Sequence, residues 1–209
     1  MYTKRNKLIF DNLLKLFPNA GCELNYKSIY ELLVSVMLSA QSTDVRVNIV
    51  TVDLFKKYPD VYSLSEANYQ DVISIISSLG LYKAKGNNII NTAKLIVNEY
   101  GGIIPNTLDD LVKLPGVGRK TANVVLSEGY HIPAIAVDTH VSRVSVRLGL
   151  SLSTDPYKIE IDLQNGFPKE NWHLLHHLLI FFGRYLCNAR NPKCDECPFT
   201  SFCKYYNKT

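Results

Sequence analysis

The chain has 209 residues, 46% of them hydrophobic and 20% charged, which fits a folded globular protein and excludes a disordered one. The longest apolar runs, such as Leu174–Phe182, are broken by histidines and too short for a bilayer. The polar start Met1–Arg5 leads into an amphipathic segment and not a signal-peptide core, so a cytosolic protein without a membrane partner is expected, and a net charge of +4 mildly favours a polyanionic one.

The predicted elements are helices throughout. Ser28, followed three residues on by Glu31, has the pattern of a capping box. Behind it Ile29, Leu32, Leu33, Val36, Met37 and Ala40 recur at helical spacing. A second helix is expected over 43–58, ahead of Pro59, and a third over 66–79, closed by Gly80. A fourth is expected over 83–100, ended by Gly101 and Gly102. Residues 107–114 form a short helix, and 119–127 another. Asp138 reads as the N-cap of a helix with Val141, Val144 and Leu148 inward and Gly149 as its stop. Pro156 suits the first turn of a further helix, and a last long helix is expected over 169–186. Only 132–137 could form a strand, and it contains Pro133. The fold class is all-α.

The stretch Leu114-Pro115-Gly116-Val117-Gly118-Arg119-Lys120-Thr121 joins two short helical segments through a turn with glycines two apart. Glycine accepts the positive φ of a sharp reversal and lets backbone approach another molecule closely. The helix starting near Gly118 offers N–H groups without intrahelical partners, which can bind a phosphate, and Arg119 and Lys120 add positive charge. Glycines at this spacing alone also fit a plain packing corner. The full string resembles the helix-hairpin-helix motif of DNA-repair proteins, which grips DNA backbone without reading sequence.

Lys120 sits where the helix macrodipole and Arg119 both disfavour its ammonium form, and a neutral amine can form a Schiff base at a carbonyl-level carbon. Eighteen residues on, the apolar run 132–137 ends in Asp138-Thr139-His140. A helix cap explains Asp138 equally well, and the two roles are compatible because a capping carboxylate is rigidly held.

Of the five cysteines, Cys187, Cys194, Cys197 and Cys203 cluster with the spacing x6, x2, x5. In a cytosolic chain this reads as a metal site and not a disulfide framework. The spacing leaves zinc and an iron–sulfur cluster open. Cys22 stands apart and reads as a small buried hydrophobe.

The hairpin string, with Val137-Asp138-Thr139-His140-Val141, is similar to the endonuclease III family of base-excision repair proteins. The similarity extends from Glu23-Leu24-Asn25 through Leu38-Ser39-Ala40-Gln41-Ser42-Thr43-Asp44 to the last cysteine. The resemblance implies two helical lobes: a barrel at 23–132 ending in the helix-hairpin-helix, and a discontinuous iron–sulfur lobe of 1–22 with 133–209. It implies a bifunctional DNA glycosylase and AP lyase for oxidised pyrimidines. Lys120 would be the nucleophile and Asp138 the carboxylate that stabilises charge on the sugar and assists deprotonation, the two facing each other at a groove. It implies a [4Fe–4S] cluster on Cys187, Cys194, Cys197 and Cys203. Gln41 and Leu81 would fill the gap left by a flipped nucleotide and wedge the opposite strand, although a helix-end polar residue and a loop hydrophobe describe them without DNA. Gly116, Gly118, Arg119, Thr121, His140, Arg143, Arg190 and Lys193 would meet the duplex. The expected partner is double-stranded DNA with damaged bases or abasic sites, bound by a monomer in the cytoplasm at the bacterial nucleoid. Phe182 departs from the pattern, standing where many relatives have histidine. The alternatives are a non-catalytic helix-hairpin-helix DNA-binding protein, which Lys120 with Asp138 speaks against, and an adenine-mismatch glycosylase, which lacks the lysine nucleophile.

Overall fold

A computed structural model describes residues 2–208; Met1 and Thr209, at the outer edges of the expected iron–sulfur lobe, lie outside the described residues. Along the chain run α1 (Lys4–Leu16), α2 (Ile29–Ser39), α3 (Asp44–Lys57), α4 (Val61–Ser65), α5 (Tyr69–Ile75), α6 (Tyr82–Tyr100), α7 (Leu108–Leu111), α8 (Arg119–Val124), α9 (Thr139–Arg147), α10 (Pro156–Gly166) and α11 (Trp172–Tyr185). Short 3-10 turns follow α11, and no strand occurs among the described residues. The all-α expectation holds, and 132–137 is extended without strand pairing. Among the described residues no helix is long and apolar enough to cross a membrane.

The chain divides into two compact units, Glu23–Ile132 and Met1–Cys22 with Pro133–Thr209. In the continuous unit α6 packs on α4, α5 and α2, and α8 packs on α2 and α7. Its core includes Leu32, Leu33, Leu38, Leu54, Leu64, Ile76, Ile89 and Ile96, all essentially inaccessible. In the discontinuous unit Ile9, Phe10 and Leu13 of α1 join Val141 and Val144 of α9, Ile159 and Leu163 of α10, and Leu175, Leu178, Leu179 and Phe182 of α11 in one apolar cluster. Each fully buried Leu, Ile or Phe contributes about 1.5–3 kcal/mol. Phe182 is wholly buried, edge-on to Phe199 at 5.4 Å between ring centres, so the departure from histidine supplies core packing.

Several helices differ from the sequence expectation. The helix expected over 66–79 covers only Tyr69–Ile75, because the Asn68 carboxamide caps it at Gln70 and Asp71 and the chain turns after Ile76. Ahead of it stands α4, opened by a capping box in which Asp60 and Ser63 exchange hydrogen bonds. At α2 only half of the expected box forms. Ser28 Oγ accepts the Glu31 N–H, but the Glu31 carboxylate takes the N–H of Lys27. The helix expected over 119–127 is α-helical only to Val124 and continues as a π-helical turn, Val125–Gly129. The last helix opens as a 3-10 turn over Lys169–Asn171. Cys22 is partly exposed and not buried.

Candidate functional site

The hairpin is built against α6. Leu114 and Val117 are buried, the Val117 N–H donates to Leu114 O at 3.0 Å, and the Thr92 hydroxyl donates to Pro115 O at 2.8 Å. Gly116 has φ +77°, and a Cβ there would lie 2.6–2.9 Å from the Asn88 side chain. Glycine is therefore required twice, by backbone and by space. Gly118 differs from the expectation of positive φ. It is extended at φ −89°, ψ 172°, caps α8 with no side-chain bond, and has nothing within 4 Å of a built Cβ. Its bare, exposed backbone leaves the first N–H groups of α8 open to an anion. Arg119 and Lys120 are exposed on this first turn, and Thr121 is half-buried.

In the other unit Asp138 is extended and caps α9. Its Oδ1 accepts the Val141 N–H at 2.7 Å while its carbonyl takes the Ser142 N–H at 2.9 Å. One carboxylate oxygen is anchored to the helix, which fixes the rotamer of the group. His140 and Arg143 follow one turn on. The Arg143 guanidinium donates to Gly183 O at 2.8 Å, Cys187 O at 3.2 Å and Thr139 O at 3.4 Å, and pairs with His140 Nδ1 at 3.2 Å. Burial lowers its pKa from the ordinary arginine value. Two of its donors thus hold the end of α11, so Arg143 ties α9 to α11.

Gln41 and Leu81 occupy two tips of the continuous unit. Both are exposed residues in the left-handed region, at φ 55° and 58°. Such backbone costs a side-chained residue about 1–3 kcal/mol and persists only where surroundings impose it. Leu81 is 60% exposed, an unusual setting for a strained leucine. The tips adjoin, since a Cβ on Gly80 would stand 3.4 Å from Gln41 O. Lys85 lies behind them, buried, with Nζ donating to Ser42 Oγ at 2.8 Å. The sequence gives no sign of Lys85, because a helical lysine reads as surface.

Cys187, Cys194, Cys197 and Cys203 all line one pocket with Leu148, Phe182 and Leu186. Cys187 and Cys203 are buried, Cys194 and Cys197 half-buried. Four thiols gathered in one pocket can hold a zinc ion or an iron–sulfur cluster. Burial, followed by the neighbouring cysteines, pushes the Cys194 thiol above its ordinary value, and burial does the same at Cys197.

Arg147, the last residue of α9, braces this centre. It donates to Cys187 Sγ at 3.4 Å, Asn188 O at 2.7 Å and Ala189 O at 3.1 Å, and stacks on Tyr205 at 3.9 Å. The Lys193 N–H closes the loop onto Leu186 O at 3.0 Å. Arg190 and Lys193 stand exposed on this braced loop. The ring contacts of His173, His176 and His177, 5.0 Å between neighbouring centroids, place these histidines as packed helix residues.

Residues 34–169 match the model of the HhH-GPD superfamily of base excision DNA repair proteins, and residues 187–203 match the iron–sulfur binding domain of endonuclease III. These matches, with the hairpin and the four cysteines, define the class: a helix-hairpin-helix repair protein with an iron–sulfur centre. The chain is 48% identical to endonuclease III of Bacillus subtilis (strain 168), over 96% of this chain and 92% of that protein. It is 40% identical to endonuclease III of Escherichia coli (strain K12), over 91% and 90%. Among solved structures, a trapped endonuclease III–DNA covalent intermediate in an estranged-adenine complex matches with TM-score 0.94 and 44% identity, over 100% of this chain and 99% of that one. A thermostable thymine-DNA glycosylase shares the fold, with TM-score 0.86 at 22% identity over 99% of this chain and 98% of that one. The chain belongs to the endonuclease III family. Its cofactor is the family's [4Fe–4S] cluster, whose chemistry fits the four-thiol pocket.

Proposed function

We propose that this chain excises oxidised pyrimidines from duplex DNA and cuts the strand at the resulting site, with Lys120 and Asp138 as its catalytic pair. Family membership makes it a DNA N-glycosylase and AP lyase of base excision repair. The observation that carries the assignment of residues is the setting of Lys120: an exposed amine on the first turn of α8, beside an uncapped, side-chain-free helix start suited to phosphate.

The damaged nucleotide leaves the stack, at a cost that is lowest for a damaged pair. Lys120 Nζ, as the free amine, attacks C1′ of the deoxyribose. The N–C1′ bond forms as the glycosidic bond breaks, and the base departs with the bonding pair and takes up a proton. The Asp138 carboxylate, held in place by Val141, stabilises the positive charge on the opening sugar and accepts the amine proton. The C1′–O4′ bond then breaks, O4′ taking the proton that Asp138 had accepted, and the resulting Schiff base acidifies the C2′ hydrogen. Its loss expels the 3′ phosphate by β-elimination, and water then releases Lys120.

Gln41 and Leu81 occupy the gap and press on the opposite strand. Gly116, Gly118, Arg119, Thr121 and His140 hold the backbone, with Arg190 and Lys193 on the cysteine loop. Arg143 joins them mainly by fixing α9 to α11. The cluster, held by Cys187, Cys194, Cys197 and Cys203, keeps that loop in shape. The enzyme acts as a monomer on damaged or abasic duplex, at the bacterial nucleoid.

Borohydride trapping on abasic duplex, with a panel of damaged duplexes, tests the reading. Wild type becomes covalently joined to the strand. Lys120→Ala and Asp138→Asn still bind abasic duplex but lose nearly all base release. Normal strand cleavage by Lys120→Ala would overturn the mechanism.

A further inference from the structure

Lysine is seldom buried, since its ammonium is costly to desolvate without a partner. Lys85 is only 6% exposed, in the second turn of α6. It is bonded at both ends. Its backbone N–H donates to Leu81 O at 3.0 Å, the first hydrogen bond of the helix, and its ammonium donates to Ser42 Oγ at 2.8 Å. One residue therefore reaches the second exposed tip itself and the neighbour of the first.

Both tips need such support. Gln41 and Leu81 hold left-handed backbone that neither side chain favours. Leu81 begins α6 with no side-chain cap. The turn at the other tip is closed by the Ser42 N–H on Ser39 O at 3.0 Å. A probe that enters a base stack meets resistance along its own axis. Two loops that yield independently would relax to ordinary backbone before they separated the bases.

We infer that Lys85 is a positioning residue, a strut that locks the Gln41 and Leu81 tips into one wedge for insertion into the DNA stack. This rests on the proposed role of those tips. Lys85 touches neither sugar nor base; it acts through Ser42 and the first turn of α6.

The test is stopped-flow fluorescence of 2-aminopurine placed beside a tetrahydrofuran abasic site, which brightens as the stack opens. Lys85→Met keeps the length of the stem and removes the bond. Ser42→Ala removes the same bond from the other end, with Lys85 retained. Each slows insertion by about tenfold, while Ser42→Thr, which keeps the hydroxyl, inserts near the wild-type rate. In a Gln41→Ala/Leu81→Ala background, Lys85→Met adds less than about a twofold change. Circular dichroism and urea unfolding establish that each variant is folded, and Ser42→Ala remains decisive if Lys85→Met is not. Insertion at the wild-type rate by both single variants overturns the strut, and so does an undiminished Lys85→Met effect in the tipless background. Normal insertion by Gln41→Ala/Leu81→Ala alone overturns the role of the tips and the strut with it, and is thereby distinguished from failure of the strut alone.

Discussion

The carboxylate of Asp138 is fastened to the backbone of Val141 at 2.7 Å, so the group proposed for chemistry also starts α9. The two duties separate by substitution. Asparagine caps a helix as well as aspartate does, whereas alanine forfeits about 0.5–2 kcal/mol. Asp138→Asn should unfold in urea at the wild-type midpoint yet lose base release, and Asp138→Ala should lose both stability and activity. Equal destabilisation by the two variants would contradict a cap made by side-chain oxygen.

The hairpin glycines should behave oppositely. Gly116→Ala forces a left-handed alanine, at about 1–2 kcal/mol, and drives its Cβ into Asn88. It should be visibly less stable by urea denaturation. Gly118→Ala meets nothing within 4 Å in an ordinary extended conformation, so its stability falls by less than about 1 kcal/mol. Its affinity for abasic duplex should fall about tenfold as the new methyl keeps phosphate off the helix start. Unchanged affinity would argue against a close approach there.

Removal of Arg147 should loosen the iron–sulfur centre. Arg147→Met deprives the carbonyls of Asn188 and Ala189 and the Cys187 sulfur of their donor. The blue-visible absorption of the purified protein should bleach several-fold faster under a chelator than in wild type. Tyr205→Ala, which removes only the stacked ring, should have the smaller effect.

Lys85 should also mark the alkaline stability of the fold. Burial lowers its pKa below the ordinary lysine value of 10.5. The native state therefore gives up this proton at lower pH than the unfolded chain does. On the alkaline approach to 10.5 the unfolded state binds more protons, and stability rises with pH through this group. Lys85→Met lacks that contribution. Urea unfolding at successive pH values should show wild type gaining on the variant in that window, and a constant difference would contradict the shift.

Where local chemistry decides, the sequence was readable. Asp138 caps α9, Pro156 opens α10, and Gly101 stops α6 at φ +59°. These residues act on their own neighbours, and no tertiary knowledge is needed to place them. Capping by less expected partners was hidden: Ser63 takes the place of the usual Glu or Gln in the box of α4, and Asn68 cuts α5 short. The π turn after Val124 was invisible because its residues suit an ordinary helix. At the site, the hairpin string was legible as a string, but the division of labour between its glycines was not, since Asn88 lies far back on α6. The left-handed Leu81 and the buried Lys85 were equally closed to inspection. Both depend on Ser42 and Gln41, some forty positions away in the polymer.

The discontinuous unit carries a consequence for biogenesis. Ile9, Phe10 and Leu13 find their apolar neighbours on α9, α10 and α11, none of which has been translated when α1 leaves the ribosome. Residues 23–132 come out as one uninterrupted run and can fold as they emerge. During that interval α1 waits with its greasy face bare, a natural client for a chaperone. The iron donor, for its part, can deliver only after the hairpin unit has been translated, since all four thiols follow the helix that shelters them.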